Sequence, residues 1–382
     1  MKISIKSSPE DFYVEEVLNV KPKAQGKYAL YVLTKSGWNT VDALRLIART
    51  CQVPFKLFQY AGRKDRHALT KQFITFEGSN LLHFKHADIY IEPVGFLDVP
   101  LSADLIAANR FMIKVRGIKK ELHDDVIRQF KIVERVGFIN YFDDQRFGGW
   151  DPIGGFLGEK IIKQHYNSAV KILLTAIHPE DKKHTKERKQ FFIKHWRNWQ
   201  ICLTKAQTPT EIKMLELLIN ETKPYIKILQ DVPREEVSMA FSAYQSYLWN
   251  EHVRRLLKMK CPESLKAVNG VVGEYLFFEQ LPQLTYDYLR HLRIPTLGAR
   301  VQFSDRINEI IYEKIIKEQE IVPHMIKEIP LKQAFLKSVT RELMVKPRDI
   351  VTEKFPDFLK VAFTLPRGSY ATMLIKRIIA YV

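Results

Sequence analysis

Gly148-Gly149-Trp150-Asp151-Pro152 divides the chain into two textures. Glycine and proline cluster there, which marks an exposed connection rather than the interior of a helix or strand. On the N-terminal side, β-like runs alternate with helical ones. Phe12–Val17, Lys27–Leu33, Leu57–Tyr60, Gln72–Phe76, Ile89–Val94 and Phe111–Val115 read as strands, rich in aromatic and β-branched residues. Thr40 looks like the N-cap of a helix carrying Val41, Leu44, Leu46 and Ile47. Asp124–Val136 places Val126, Ile127, Phe130 and Val133 on one helical side. This alternation predicts an α/β or α+β domain over residues 1–150. On the C-terminal side the spacing turns helical, over 158–177, 186–204, 208–229 and 236–260. From about 336 it reverts: Phe358–Leu365 is strand-like, Pro366-Arg367-Gly368 makes a turn, and Thr372–Val382 reads as a helix or strand. The expected organisation is one domain in two parts, 1–150 and 336–382, interrupted by a mainly helical insertion over 151–335. No internal repeat and no low-complexity segment is visible.

Sixty Lys and Arg against 43 Asp and Glu leave the 382-residue chain at +17, which raises the expectation of a polyanionic partner such as RNA or DNA. A hydrophobic content of 46% argues against a mainly disordered chain. No stretch approaches the ~18 consecutive apolar residues of a spanning helix, and Met1-Lys-Ile-Ser-Ile-Lys6 lacks the apolar core of a secretory signal. Cys51, Cys202 and Cys261 are far apart and odd in number, which fits a reducing cytosol and gives no zinc pattern. A cytoplasmic protein without membrane contact is expected.

The phosphate-cradling glycine motifs, GxSxG and HExxH are all absent. His83 and His86 lack metal-spaced partners and read as solvated or paired histidines. The expectation is therefore an activity without metal or cofactor, or plain binding. The densest polar cluster is Ala61-Gly62-Arg63-Lys64-Asp65-Arg66-His67-Ala68-Leu69-Thr70-Lys71-Gln72, with one carboxylate among four cations. Gly62 can take φ > 0 for a tight turn, and Lys64 and Arg66 would hold Asp65 ionised. Asp65 is then a candidate nucleophile or base near a phosphate-lined site, or else part of a solvated hairpin loop with local ion pairs. Asn140-Tyr141-Phe142-Asp143-Asp144-Gln145-Arg146-Phe147-Gly148 interleaves aromatics with Asn, Gln and Arg, which fits base stacking or a strand end with core aromatics. In Ala243–Asn250, Tyr244, Tyr247 and Leu248 share helical spacing and read as a packing face. Lys182–Arg197 carries seven Lys or Arg and two His against the single acid Glu187, a solvated helix face or a phosphate-contacting one.

Together these segments resemble one family, the TruD family of transfer RNA pseudouridine synthases. Lys6-x-x-Pro9-x-Asp11-Phe12-x-Val14-x-Glu16 looks like its opening motif, and Gly62-x-Lys64-Asp65-x-x-Ala68-x-Thr70-x-Gln72 like its catalytic motif. Asn109-Arg110-Phe111 is similar to its Asn-x-Phe. Asn140-Tyr141-Phe142-x-x-Gln145-Arg146-Phe147-Gly148, Ala243-Tyr244-Gln245-Ser246-x-x-Trp249-Asn250 and Leu365-Pro366-x-Gly368-Ser369-Tyr370-Ala371-Thr372 resemble later motifs, in the expected order.

The resemblance implies an α/β (α+β) pseudouridine synthase core around a mixed, largely antiparallel sheet, split by a family-specific insertion, with RNA held between the two parts. It implies isomerisation of uridine to pseudouridine without any cofactor, with Asp65 as the catalytic carboxylate. Phe111 would stack on the target base, Asn109 and Tyr370 would line the pocket, and Lys6 and Lys64 would pair with Asp65 or with the target phosphate. Arg146 is a further candidate RNA contact. The implied substrate is transfer RNA, notably uridine 13 in the D-arm of the glutamate acceptor, with other positions or other RNAs open. A monomer is expected. The competing reading is an RNA-binding protein of the same fold without turnover.

Overall fold

The computed structural model describes residues 3–78, 81–178, 181–331 and 336–382. It divides into two units, one of residues 1–139 with 345–382 and one of 140–344.

The first unit is built from β1 (Phe12–Leu18), β2 (Tyr28–Lys35), α1 (Thr40–Thr50), β3 (Phe58–Tyr60), β4 (Leu69–Glu77), β5 (Lys85–His86), β6 (Ile89–Leu97), β7 (Ile106–Arg116), α2 (His123–Val136), β8 (Arg348–Lys354), β9 (Phe358–Pro366) and α3 (Ala371–Ile379). The strands form one nine-stranded sheet in the order β8-β9-β7-β1-β4-β2-β6-β5, with β3 also pairing with β4. Among the described strands of this sheet only β1 and β4 run parallel, with Val14 opposite Thr70; the other pairings are antiparallel. The fold is thus α/β (α+β), with a mixed and largely antiparallel sheet. The C-terminal segment resolves as the helix α3, which buries Met373, Leu374 and Ile378.

One face of the sheet carries two apolar clusters. Ala43, Leu44 and Ile47 of α1 pack with Tyr31, Ile74 and Ile89. Towards the other end, Phe111 stacks on Phe363, which meets Phe130 of α2 at a ring-centroid distance of 6.3 Å. Each such side chain is worth roughly 1.5–3 kcal/mol on full burial, so these clusters hold the helices onto the sheet. The expected cap of α1 moves by one residue. Asn39 caps it by accepting the Asp42 N–H at 2.9 Å, and Thr40 begins the helix because its hydroxyl is engaged elsewhere.

The second unit is mainly helical, around the helix Arg234–Lys260. Tyr244, Leu248, Trp249 and Asn250 are buried in it, and the Trp249 indole donates to the Ile294 carbonyl at 3.0 Å. The packing reading of that stretch therefore holds. Three expected long helices are each broken in two: 158–177 and 186–204 where Gln164 (φ 59°) and Arg197 (φ 80°) adopt left-handed backbone, and 208–229 where Glu221 turns extended ahead of Pro224. A hairpin, Leu265–Gly270 with Gly273–Phe278, stands among the helices. Asn140–Phe147 belongs to this unit: Phe142 exchanges hydrogen bonds with the Asn250 amide at 3.0 and 2.8 Å, and Arg341 donates to the Asn140 carbonyl at 2.8 Å. Tyr141, Phe142 and Phe147 are core residues here. No helix among the described residues is long and apolar enough to cross a membrane.

Candidate active site

The polar loop between β3 and β4 sits where the parallel pairing places it. Because β1 and β4 run side by side in the same direction, the segments entering them leave the sheet at one end. Lys6 lies on the first segment and Asp65 on the second. The register also forms a continuous row across the sheet: Lys35 is opposite Thr70, Thr70 opposite Val14, Val14 opposite Phe111, and Phe111 opposite Phe363.

Four groups fix the loop backbone. The Thr40 hydroxyl accepts the Lys64 N–H at 3.0 Å and donates to Gln72 Oε1 at 2.8 Å. The Gln72 amide donates to the Gly62 carbonyl at 3.4 Å. Gly62 itself does not use positive φ, since the loop is shaped by these bonds rather than by a left-handed turn. Arg66 Nε donates to the Gly37 carbonyl at 3.1 Å. Lys35, with no solvent exposure, donates to the carbonyls of Trp38 at 2.7 Å and Asp65 at 3.0 Å. Burial lowers Lys35 to about 8, the Asp65 charge opposing this and Lys64 adding to it.

The Asp65 carboxylate is held by residues other than the sequence neighbours expected to hold it. Lys6 Nζ pairs with Oδ2, and the His67 N–H donates to Oδ1 at 2.9 Å. Lys64 and Arg66 are engaged elsewhere. Burial pushes the carboxyl up, but the hydrogen bond and charge of Lys6, with His67, outweigh it, so Asp65 titrates below the ordinary Asp value. Lys6 is itself placed. Its ammonium lies 4.6 Å from the Phe12 ring centroid, and Ser4 exchanges backbone hydrogen bonds with Arg116 at 3.2 and 2.9 Å. Arg116 also grips the buried Asp11 carboxylate at 2.7 and 2.8 Å.

Lys64 turns to a second buried acid. Its ammonium is 2.7 Å from Glu16 Oε1 and 2.9 Å from Asn109 Oδ1. Glu16 Oε2 also accepts the Phe73 N–H at 2.8 Å. Glu16 and Asn109 are register partners on β1 and β7. Phe111 is only 6% exposed, edge-on to Phe12 at 6.1 Å and stacked on Phe363 at 5.5 Å. Tyr370 stands half-buried at the start of α3, after a turn in which Gly368 takes φ 80°. Arg146 lies in the second unit, exposed, with its Nε 3.4 Å from the Ser246 hydroxyl. Lys6, Lys64, Asp65, Asn109 and Phe111 are thus brought together in one unit, while Arg146 is held by other partners. Glu16, Lys35, Thr40 and Gln72 complete the constellation. Glu16 and Gln72 stand inside quoted motifs, whereas nothing local marks Lys35. Among the described residues no cluster of three or more His, Cys, Asp or Glu is placed to hold a metal ion.

An ionised carboxylate, paired with a cation and hydrogen-bonded on both oxygens, can attack carbon or take a proton. Comparison with known proteins gives this arrangement its context. The sequence profile of tRNA pseudouridine synthase D (TruD) matches residues 1–378. This chain belongs to the TruD family. Similar members include a probable tRNA pseudouridine synthase D of Methanococcus maripaludis, 32% identical over 97% of each chain. Another is the tRNA pseudouridine synthase D of Aquifex aeolicus, 30% identical over 99% of this chain and 98% of that one. The fold is shared with the crystal structure of a putative TruD from Methanosarcina mazei, with a TM-score of 0.69, 24% identity, and coverage of 99% of this chain and 92% of that chain. Asp65, its partner Lys6, and the neighbouring pair Lys64 and Asn109 all fall inside the matched span.

Proposed function

We propose that this chain is a transfer RNA pseudouridine synthase that isomerises uridine 13 in the D-arm of glutamate transfer RNA, with Asp65 as the catalytic carboxylate. In this reading the first unit is the catalytic domain and the second its insertion. The enzyme works as a cytoplasmic monomer.

The observation that carries the reading is the state of Asp65, held ionised by Lys6 and His67 on a loop anchored from four sides. In the reaction the N1–C1′ bond breaks, the base turns over, and C5–C1′ forms. C5 loses a proton and N1 gains one. Nothing is oxidised and no group is donated, so the chemistry calls for no cofactor. A carboxylate is needed to attack the sugar or base, or to take the C2′ proton, and each route requires it ionised. The base must first leave its stack, at a cost of a few kcal/mol recovered in the pocket. Asn109 supports edge recognition. Its oxygen is engaged by Lys64, which leaves its amide N–H groups for a uracil oxygen. Phe111 backs Phe12, whose ring carries the Lys6 ammonium, and Tyr370 is the ring we assign to the pocket.

The test is tritium release from 5-tritiated uridine in a glutamate transfer RNA transcript with chelator present. Wild type should release tritium, Asp65→Asn should not while still binding the RNA, and a transcript with cytidine at position 13 should give none. Comparable release by Asp65→Asn would remove Asp65 from the mechanism. Release from the cytidine 13 transcript would move the modified position.

A further inference from the structure

Lys183–Lys194 forms a helix anchored by Phe192 and by Arg188, whose guanidinium pairs with Glu211 at 2.9 Å. Lys189 pairs with Asp181 at 2.8 Å. These cations are structural. Lys194 and Arg197 have no ion-pair partner among the described residues. The helix then turns sharply into Trp199–Leu203, and Arg197 takes φ 80° to make the turn, a backbone conformation that costs a residue with a Cβ and concentrates at functional sites. The turn sets the half-buried Trp196 and Trp199 edge to face, with ring centroids 4.7 Å apart and planes at 84°. Lys171 Nζ lies 5.7 Å from the Trp196 centroid.

Trp196, Arg197, Asn198, Trp199 and Gln200 line an open depression of about 540 Å³, with no acidic side chain on its wall. Asn198 uses its side-chain oxygen to cap Trp199–Leu203, accepting the Ile201 N–H at 3.4 Å, which leaves its amide N–H groups. The Gln200 amide has no hydrogen-bond partner among the described residues. Indoles for a base face, carboxamides for a base edge and a guanidinium for a phosphate are the chemistry of nucleotide recognition. An acidic peptide could use the guanidinium, whereas the two indole faces beside carboxamides suit a flat base with polar edges. The net charge of +17 favours the polyanion.

We propose that this depression binds an unpaired nucleotide of the RNA substrate, with its base on the Trp196–Trp199 pair and its phosphate on Arg197. The proposal rests on the reading of the chain as acting on RNA. It gives the strained turn at Arg197 a purpose, which is to present the cation beside the two rings.

The test uses the full chain, a glutamate transfer RNA transcript, filter binding across a salt series, and single-turnover tritium release. Trp199→Ala should raise Kd about tenfold, and Trp199→Phe should restore most of that loss. Arg197→Gly should reduce the log–log salt slope by about one, although relief of the positive φ makes the protein more heat-stable. In each variant kcat/KM should fall in step with affinity. Wild-type Kd in Trp199→Ala, or a wild-type salt slope in Arg197→Gly, overturns the proposal and leaves the surface to a protein partner. If Trp199→Ala fails to fold, Arg197→Gly decides, because it removes strain. Wild type that binds the transcript without releasing tritium defeats the assigned activity, while the depression is still judged by Kd alone. Wild type that binds no RNA defeats both.

Discussion

The Lys35 ammonium donates to the backbone carbonyl of Asp65 at 3.0 Å from a fully buried position at the end of β2. It grips the main chain of the loop, whereas Lys6 grips the side chain. One lysine thus sets where the carboxylate stands and the other sets its charge. Both come from strands or segments distant in sequence, so the geometry of Asp65 depends on the whole sheet being formed.

Lys35→Met keeps length and apolar bulk but leaves the Trp38 and Asp65 carbonyls without their donor. Small displacements of a reacting group are costly, up to about a hundredfold for ~1 Å, so turnover should fall by roughly that factor while RNA affinity stays near wild type. Stability supplies a second readout. Folded Lys35 titrates at about 8, below its unfolded value, so the native state loses the proton first and the unfolded chain holds more protons above that pH. Wild-type stability should therefore gain from this group as pH rises from about 8 towards the ordinary lysine value. Urea midpoints at about pH 7 and about pH 9.5 should diverge for wild type and not for Lys35→Met; parallel behaviour would refute the assignment.

Lys6→Met should move the acid limb of turnover. The Asp65 value is depressed in the folded protein, so the ionised form persists through the ordinary Asp range and is lost only as pH falls through the lowered value. Without Lys6 the dominant influence left is burial, which raises the carboxyl. The acid limb of the single-turnover rate should then shift upward. An unmoved limb would mean that Lys6 does not set the charge of Asp65.

Glu16→Gln tests the second buried acid. Glu16 is 1% exposed at its side chain and Lys64 only 18%, so removing the carboxylate leaves a cation with little water and no counter-charge. Loss of one partner of such a pair costs about 3 kcal/mol. Adding Lys64→Met should recover most of it, because the pair is then replaced rather than broken. Urea unfolding of both single variants and the double variant closes the cycle, and additive losses would show that the pair is not coupled.

The strands were legible where polar and apolar residues alternate in the usual sense, as in Phe12–Leu18 with Phe12 and Val14 inward. The alternation misleads in the middle of the sheet. Glu16, Lys35, Thr70, Gln72 and Asn109 are polar yet buried, because the site lies on the same face as the core. Their polarity assigns such residues to solvent, although the period of two places Glu16 with Phe12 and Val14. Asp65 stood out by its neighbours, but those neighbours do not hold it; its partner Lys6 is 59 residues away, and their meeting follows from the parallel pairing of β1 and β4. No local signal encodes that pairing. The aromatics of Asn140–Phe147 were equally ambiguous, since core packing and base stacking select the same residue types, and only the hydrogen bonds to Asn250 and Arg341 separate the two.

Phe111 poses the same ambiguity inside the site. A stacking ring needs an open face, and this ring is 6% exposed, stacked on Phe363 and edge-on to Phe12. Phe12 in turn carries the Lys6 ammonium on its ring at 4.6 Å. The geometry makes Phe111 a positioning residue for Lys6, and hence for Asp65. Phe111→Ala would confuse this with instability, since removing a buried Phe costs about 3–5 kcal/mol. Phe111→Leu keeps most of the volume, at a cost of about 1.5 kcal/mol or less. Turnover should fall in Phe111→Leu with transfer RNA affinity nearly unchanged, because phosphate contacts dominate binding. The acid limb should shift upward in the same direction as in Lys6→Met but by less, as the ammonium loosens without leaving. A slower rate with an unmoved limb would instead place the ring directly against the base, in a pocket that opens when RNA binds.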